Sequence, residues 1–474
     1  MSRMALVAAV LLGGICGCVP EKRVAWSPDG HWATVKAADG LYLCDESGKL
    51  SARLVEGVNS VAWLPDSKHL LWSRTEPVTT WEALLPLLTP EQRKTIETRG
   101  PRLREELMAH QGDWDGFEPE SIHGLTDGET PALLIYVRDK LGDGLPEKLG
   151  DKWNELKELT ANANILDLVP LNDAGTPGAA RVIVRSINAY EDLCVSPSGK
   201  LVAYRSAAAS GSQPPALFVV ALDGGTPQLV ADHAAAYPDW SADSRYIVYA
   251  ATNTPGDDDD KNLRLGVVAR RQVCGAGGTL LAELPDPEEL AGIVFQNWVR
   301  VRCLRDGRVL FATLEVHMPC VSADMPQRAG LFAVDPGRQP GVTRLTSRAA
   351  ENELPGLLLL FEVSPDERHL AVPGDDGRTA ILTLATGAVW PVVGEGECDR
   401  LRTVPAWRSR DELCCAVVPG SNGEQQRAEI ALLKLDFDAR QVERRIISTG
   451  WPGEIVVDFL QDKSFPPQSQ PANP

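Results

Sequence analysis

One phrase recurs along the chain: a β-like run often closed by Trp, then Ser-Pro-Asp-Gly or a blurred copy of it, then a second β-like run. It reads Trp26-Ser27-Pro28-Asp29-Gly30, Trp63-Leu64-Pro65-Asp66-Ser67, Val195-Ser196-Pro197-Ser198-Gly199, Trp240-Ser241-Ala242-Asp243-Ser244, Leu304-Arg305-Asp306-Gly307, Val363-Ser364-Pro365-Asp366-Glu367 and Trp407-Arg408-Ser409-Arg410-Asp411. Each copy punctuates a hairpin: Pro presets φ at the second turn position, Asp bonds its own backbone, and Gly accepts positive φ. Units recurring at roughly 40 to 60 residues cannot each bury their own apolar face, so they must stack. The expectation is an all-β chain, a β-propeller of about seven four-stranded antiparallel blades over residues 23–460.

The third unit is the clearest copy, with strands expected at 190–195, 201–205, 216–222 and 228–231. In the first unit the expected strands are 24–26, 31–36, 41–44 and 51–55. The fourth unit is expected at 237–284, the fifth at 295–345, the sixth at 358–393 and the seventh at 402–448. A helical insertion interrupts the second blade at 79–160, between its second and third strands. Thr89-Pro90-Glu91 starts one helix running towards His110 and Thr130-Pro131 a second. Pro146-Glu147 starts a third, carrying Leu149, Trp153, Leu156 and Leu159. An insertion this long is usually functional. Residues 461–474, rich in Pro, Gln, Asn and Ser, read as a disordered tail.

The run of Trp or Val, Ser, Pro, Asp and Gly, followed by an aliphatic-aromatic strand and a turn such as Asp223-Gly224-Gly225, resembles the TolB-like propellers and their Pro-Asp variant of the WD repeat. The resemblance covers most of residues 23–451 outside the insertion, and the fifth and seventh units depart from it in lacking the Pro. It implies a propeller fold. It implies no single task, because the family includes partner-binding periplasmic proteins, substrate-gating domains and lipoproteins.

At the N-terminus Arg3, an apolar core at 5–12 and compact residues at 13–17 read as a secretory signal, too short for a permanent membrane helix. Ile15-Cys16-Gly17-Cys18 fits the bacterial lipobox with Cys18 as the lipid attachment residue, because Cys16 would put bulky Ile15 where a small side chain is required. Residues 1–17 are then a lipoprotein signal and 18–22 a tether to the membrane through the lipidated terminus. Val19 after the cysteine favours the outer membrane, facing the periplasm, in lipoproteins this chain resembles. A formal charge of −18 argues against nucleic acid and anionic lipid surfaces as partners. Beyond Cys16 and Cys18 the cysteines are Cys44, Cys194, Cys274, Cys303, Cys320, Cys398, Cys414 and Cys415, none in C-x-x-C spacing. An exported chain leaves disulfides open, and buried thiols are the plainer reading for those in apolar runs.

Most chemistry-bearing residues resolve into structural roles. His31, His69 and His369 follow their turns at matching positions, but in separate blades, which favours hairpin roles over metal ligation. Asp257-Asp258-Asp259-Asp260 lacks the alternation, Gly and distal Glu of an EF-type loop and reads as a solvated charge run. Cys414-Cys415 on one strand fall on opposite faces. The chain has no Gly-x-Ser-x-Gly elbow, His-Glu-x-x-His, phosphate loop or dinucleotide-binding glycine pattern, and no cofactor or metal is expected. Trp26, Trp63, Trp240 and Trp407 recur at one repeat position as wedges between blades. Trp81, Trp114, Phe117 and Trp153 lie in the insertion, where they either pack helices or present aromatic anchors to a partner. The functional reading is a lipid-anchored, non-catalytic propeller of the cell envelope. It would bind an envelope protein, a peptide or a glycan at the channel end or through the inserted helices. The alternative is a propeller enzyme, a lyase or hydrolase with its active residues on channel loops.

Overall fold

Hydrogen bonds within the turns explain the spelling of the repeat. Ser27, Ser241 and Ser364 each donate to the aspartate two residues on, at 2.6 Å. Ser241 and Ser364 also accept, from the amides of Tyr246 and His369 at 3.0 Å. The aspartates accept in turn, Asp243 from the Arg245 amide at 3.0 Å and Asp366 from the Arg368 amide at 3.1 Å. One short phrase thus satisfies the polar groups of a hairpin turn. The residue after the aspartate position turns the chain with φ of 75° at Gly30, 66° at Gly199 and 90° at Gly307, where a side chain would be strained.

The computed structural model describes residues 24–447 except 38, 112–113, 115–116, 207–214, 236, 253–263, 276, 296–298, 314–329, 339–340, 348–360, 374–378, 394–404 and 418–428. The expected signal, Cys18 and its tether, Cys320, Cys398, the Asp257 to Asp260 run and the tail lie outside the described residues. The described strands form seven antiparallel sheets, each in sequential order, six of four strands and one of three. The chain is a seven-bladed β-propeller, and its departures from the Pro-containing motif do not change the count.

By contact, the chain divides into two bodies. One contains blades two to five, within Leu54–Leu345; the other contains blades one, six and seven, with Gly30–Arg53 and Thr346–Pro474. In the first body the inner strands are Val58–Trp63, Glu191–Val195, Asp239–Trp240 and Val301–Cys303. Apolar side chains fuse adjacent blades: Leu201, Ala203, Leu217 and Val219 of blade three share a core with Trp240, Ile247, Tyr249 and Val267 of blade four. The recurrent tryptophan acts as the expected wedge. Trp240 buries its ring and donates its indole N–H to the Cys194 carbonyl of the preceding blade at 2.8 Å. In the second body Trp407 does the same to the Glu362 carbonyl at 3.0 Å.

Three boundaries differ from expectation. Residues 51–55 form no strand; Ser51 instead bonds the backbone of Leu43 after a tight return from Gly40–Asp45. Phe295 does not open the fifth blade, because Glu288–Phe295 is the outer strand of the fourth. The fifth blade begins at Val301–Cys303, where Cys stands in place of the wedge Trp. Cys414 and Cys415 are both buried and face opposite sides, Cys414 towards the blade-one core and Cys415 into that of blades six and seven. Among the described residues, Cys44, Cys194, Cys274, Cys303 and Cys414 are free thiols.

Among the described residues between His69–Val78 and Ala161–Pro170 of blade two are five α-helices: α1 (Trp81–Leu84), α2 (Pro90–Ala109), α3 (Glu129–Lys140), α4 (Leu145–Leu149) and α5 (Asp151–Glu158). Thr89 caps α2 in a capping box with Gln92. The helix expected from Pro146 is broken in two at Gly150, whose φ of 56° interrupts the α-helix. Leu84, Ile96, Leu103, Leu133, Ile135, Val137 and Leu145 are fully buried, giving the insertion a core of its own.

Candidate binding face

The insertion leaves blade two at Val78, which pairs with Ala161. On the same strand as Val78, Arg74 pairs with Val58, the first residue of the inner strand, so the helices emerge at the end where that inner strand starts. The Leu193 amide donates to the Ser60 hydroxyl at 3.3 Å, and the Cys303 amide to Asp239 at 2.8 Å, so inner strands of adjacent blades lie side by side in register. The insertion is seated on that end. Thr126 donates to the Asn188 side chain at 3.1 Å, Gly128 lies against the Ile187 carbonyl with no room for a Cβ, and Ile187 is buried in the helical core. Asn164 of blade two donates to the same carbonyl at 3.1 Å.

Beside it, the inner strands of blades three to five carry paired charges. Arg205, nine-tenths buried, bonds Asp192, Glu191 at 3.3 Å and the Ala234 carbonyl at 3.5 Å. A bulge between Glu191 and Cys194, with Asp192 at φ 49°, aims that carboxylate at the guanidinium. Tyr237, at the matching position of blade four, has φ 62°, and the Arg300 guanidinium sits 5.0 Å from its ring centre. Asp239 faces Arg302 at 3.4 Å and the Cys194 thiol at 3.9 Å. Desolvation, and then the charge of Asp239, push the Cys194 and Cys303 thiols up, so at neutral pH both are protonated thiols rather than nucleophilic thiolates. This edge offers fixed charge pairs and hydrogen-bonding groups.

The four aromatic candidates separate. Trp81 is 3% exposed, edge-on to Tyr136 at 4.8 Å, with its amide bonded to Asp139; it is a core residue and presents no surface to a partner. Trp153 is half-buried, with Lys157 5.9 Å from its ring and its edge against Gly142. Trp114 and Phe117 come together with His110 at the end of α2. The three histidines stay apart in role: His31 pairs with Glu46, His69 with Asp66 at 2.7 Å, and His369 is buried, stacked 3.8 Å over Phe437. Among the described residues no cluster of His, Cys, Asp or Glu has metal-site geometry.

The inner-strand charges escaped the sequence reading, although aligning the repeats exposes them. The residue before the wedge position is Ala25, Ala62 and Ala406 in three blades but Cys194, Asp239, Arg302 and Glu362 in the others.

No protein-family model and no curated protein matches the chain. Solved structures similar to it include a protein assigned as TolB from Agrobacterium tumefaciens, with 15% identity and a TM-score of 0.36, covering 57% of this chain and 84% of that one. An oligogalacturonate lyase in complex with manganese has 12% identity and a TM-score of 0.40, covering 76% of this chain and 75% of its own. Oligogalacturonate lyase from Vibrio parahaemolyticus has 12% identity and a TM-score of 0.38, with the same coverages. Likenesses at this level carry no chemistry from those proteins to this one.

Proposed function

We propose that the chain is a non-catalytic binding module of the bacterial cell envelope, anchored by lipid at Cys18, which takes a protein or peptide partner on the face that carries the helical insertion. The observation that supports this reading is the seating of the insertion. An 82-residue helical body (residues 79–160) with its own core is fixed by Thr126, Gly128 and Ile187 to the end where the inner strands begin. A rigid element that adds surface at a propeller end widens what that end can grip. The charge pairs beside it agree with recognition, since Asp192, Glu191 and Asp239 each have a guanidinium partner and both nearby thiols are held protonated. No described helix is long and apolar enough to cross a membrane, and the proposal places attachment in the acyl chains at Cys18 instead.

Because Val78 and Ala161 are register partners, an Asn-Gly turn can replace residues 79–160 and close the hairpin. Pull-down from native membranes with the full chain and with this deletion tests the reading. Loss of the captured partner is expected; an unchanged set of partners removes the insertion-bearing face from the case. Cys18→Ser is expected to move the chain out of the membrane fraction, and retention there would refute the anchor.

A further inference from the structure

We propose that the inner edge of blades three to five holds a short peptide by its two free ends, the amine on Glu191 and Asp192 of blade three and the carboxylate on Arg302 of blade five; this deepens, and rests on, the reading of the chain as a binding module. Three blades contribute to one cluster. Asp239 of blade four accepts the Cys303 amide at 2.8 Å and meets Arg302 at 3.4 Å, and it stands 3.9 Å from the Cys194 thiol of blade three. That thiol feels the charges of Asp239, Arg302, Arg300 and Asp192 together. At the third position before the wedge the same three blades carry Asp192, Tyr237 and Arg300. Asp192 and Tyr237 are held at φ of 49° and 62°, a backbone state that non-glycine residues keep only where their surroundings fix it, as at ligand clamps.

The order of charge along this edge fixes the polarity of the ligand. Blade three sets two carboxylates, Glu191 and Asp192, against one guanidinium, Arg205. Blades four and five bring two guanidiniums, Arg300 and Arg302, and one carboxylate, Asp239. Among the described residues the edge therefore runs from acidic to basic between blades three and five. The side chains that reach solvent keep that order: Glu191 is 44% exposed and Arg302 33%, whereas Asp192, Asp239 and Arg205 are held deeper. Tyr237 of blade four is half-buried, with Arg300 over its ring. A simple anion would meet Glu191 and a simple cation Arg302, so a ligand carrying both charges matches best. Two strand spacings of about 5 Å put blades three and five about 10 Å apart, the reach of about three extended residues.

The test titrates the full chain with trialanine, N-acetyl-trialanine and trialanine amide by isothermal titration calorimetry. Trialanine is expected to bind, and blocking either end should weaken it by about tenfold or more. Glu191→Gln should weaken trialanine by a similar factor yet leave the N-acetyl peptide unchanged, and Arg302→Gln should do the same with the amide. A residue that merely supports the fold would weaken all three peptides alike. Asp306→Asn/Arg308→Gln removes an exposed ion pair of 2.8 Å on the blade-five turn and should change nothing. Circular dichroism checks the folding of every variant, and Glu191→Gln leaves Asp192 in place on Arg205. Absence of trialanine binding, equal binding by a blocked peptide, uniform weakening of all three peptides, or equal loss in the turn control overturns the proposal. If trialanine fails to bind while the native-membrane partner is still captured, the inner-edge site falls and the binding-module reading stands.

Discussion

Where single residues break the repeat, they do so to reach another blade. Position five of the turn calls for glycine, yet blade four uses Ser244 at φ 61°. Its hydroxyl accepts the Ser198 amide of blade three at 2.8 Å, a bond glycine cannot make. Ser244→Ala should therefore cost about 1–2 kcal/mol, since it keeps the left-handed strain and loses the acceptor. Ser244→Gly should cost less than the Ala variant, because it relieves the strain as it loses the bond; urea denaturation that ranks the two the other way refutes the account. In blade seven Arg408 replaces the turn serine. It reaches the Gly30 carbonyl at 3.1 Å, Glu46 at 3.1 Å and Glu412 at 3.2 Å, and lies 5.2 Å from the Trp26 ring centre. Arg408→Ala is expected to lower stability by about 2–4 kcal/mol, because it strands carboxylates and a carbonyl in a partly buried place. A denaturation midpoint within error of the parent would show the clasp to be decorative.

At the scale of elements, the insertion is held at its root by one side chain. Arg138 of α3 is 9% exposed and donates to the carbonyls of Leu156, Lys157 and Leu159 at 3.2, 3.1 and 3.3 Å, to Thr79, and to Asp139 at 2.7 Å. It caps the end of α5 and ties together the two ends of the inserted chain. Arg138→Ala should speed amide exchange across residues 79–160 by about tenfold or more while blades three to five keep their protection, with Arg138→Lys intermediate. Uniform exchange across both regions would mean that the insertion is not a separable unit. The helices themselves were legible because Thr89, the early acid Glu91 and the early prolines announce their starts. What they face was not. Trp81 and Trp114 are the same residue type in one insertion, yet one is core and the other reaches the surface, a difference set by packing against Tyr136 that spacing does not encode.

For the whole molecule, the propeller could be read because a turn that satisfies its own polar groups must keep its spelling, and seven copies survive. The fifth blade was misplaced because Cys303 gives no wedge signal and the outer strand Glu288–Phe295 looks like an opening strand. The charged inner edge stayed hidden because Asp239 meets Arg302 and the Cys303 amide only across blades, and Asp192 faces Arg205 only through a bulge. Repetition also sets the response to acid. Burial alone would raise the carboxyls of Asp66, Asp243 and Asp366, but hydrogen bonds within their turns, from Lys68, Ser241 and Ser364 respectively, outweigh it and hold each below its ordinary 3.8. Each contributes stability that is complete above about pH 4 and is lost as pH falls through the folded-state value. His369 acts earlier: burial, only partly opposed by Asp366, holds its pKa below 6.5, so the unfolded chain takes the proton first and stability falls as pH drops through that region. Urea midpoints measured from pH 8 to pH 3 should therefore decline in two stages, a shallow one below about pH 6.5 and a steeper one near and below pH 4. His369→Gln should abolish the first and leave the second, while Asp243→Asn should weaken only the second. A His369→Gln profile that still falls between pH 6.5 and 5 would assign the early stage to another group.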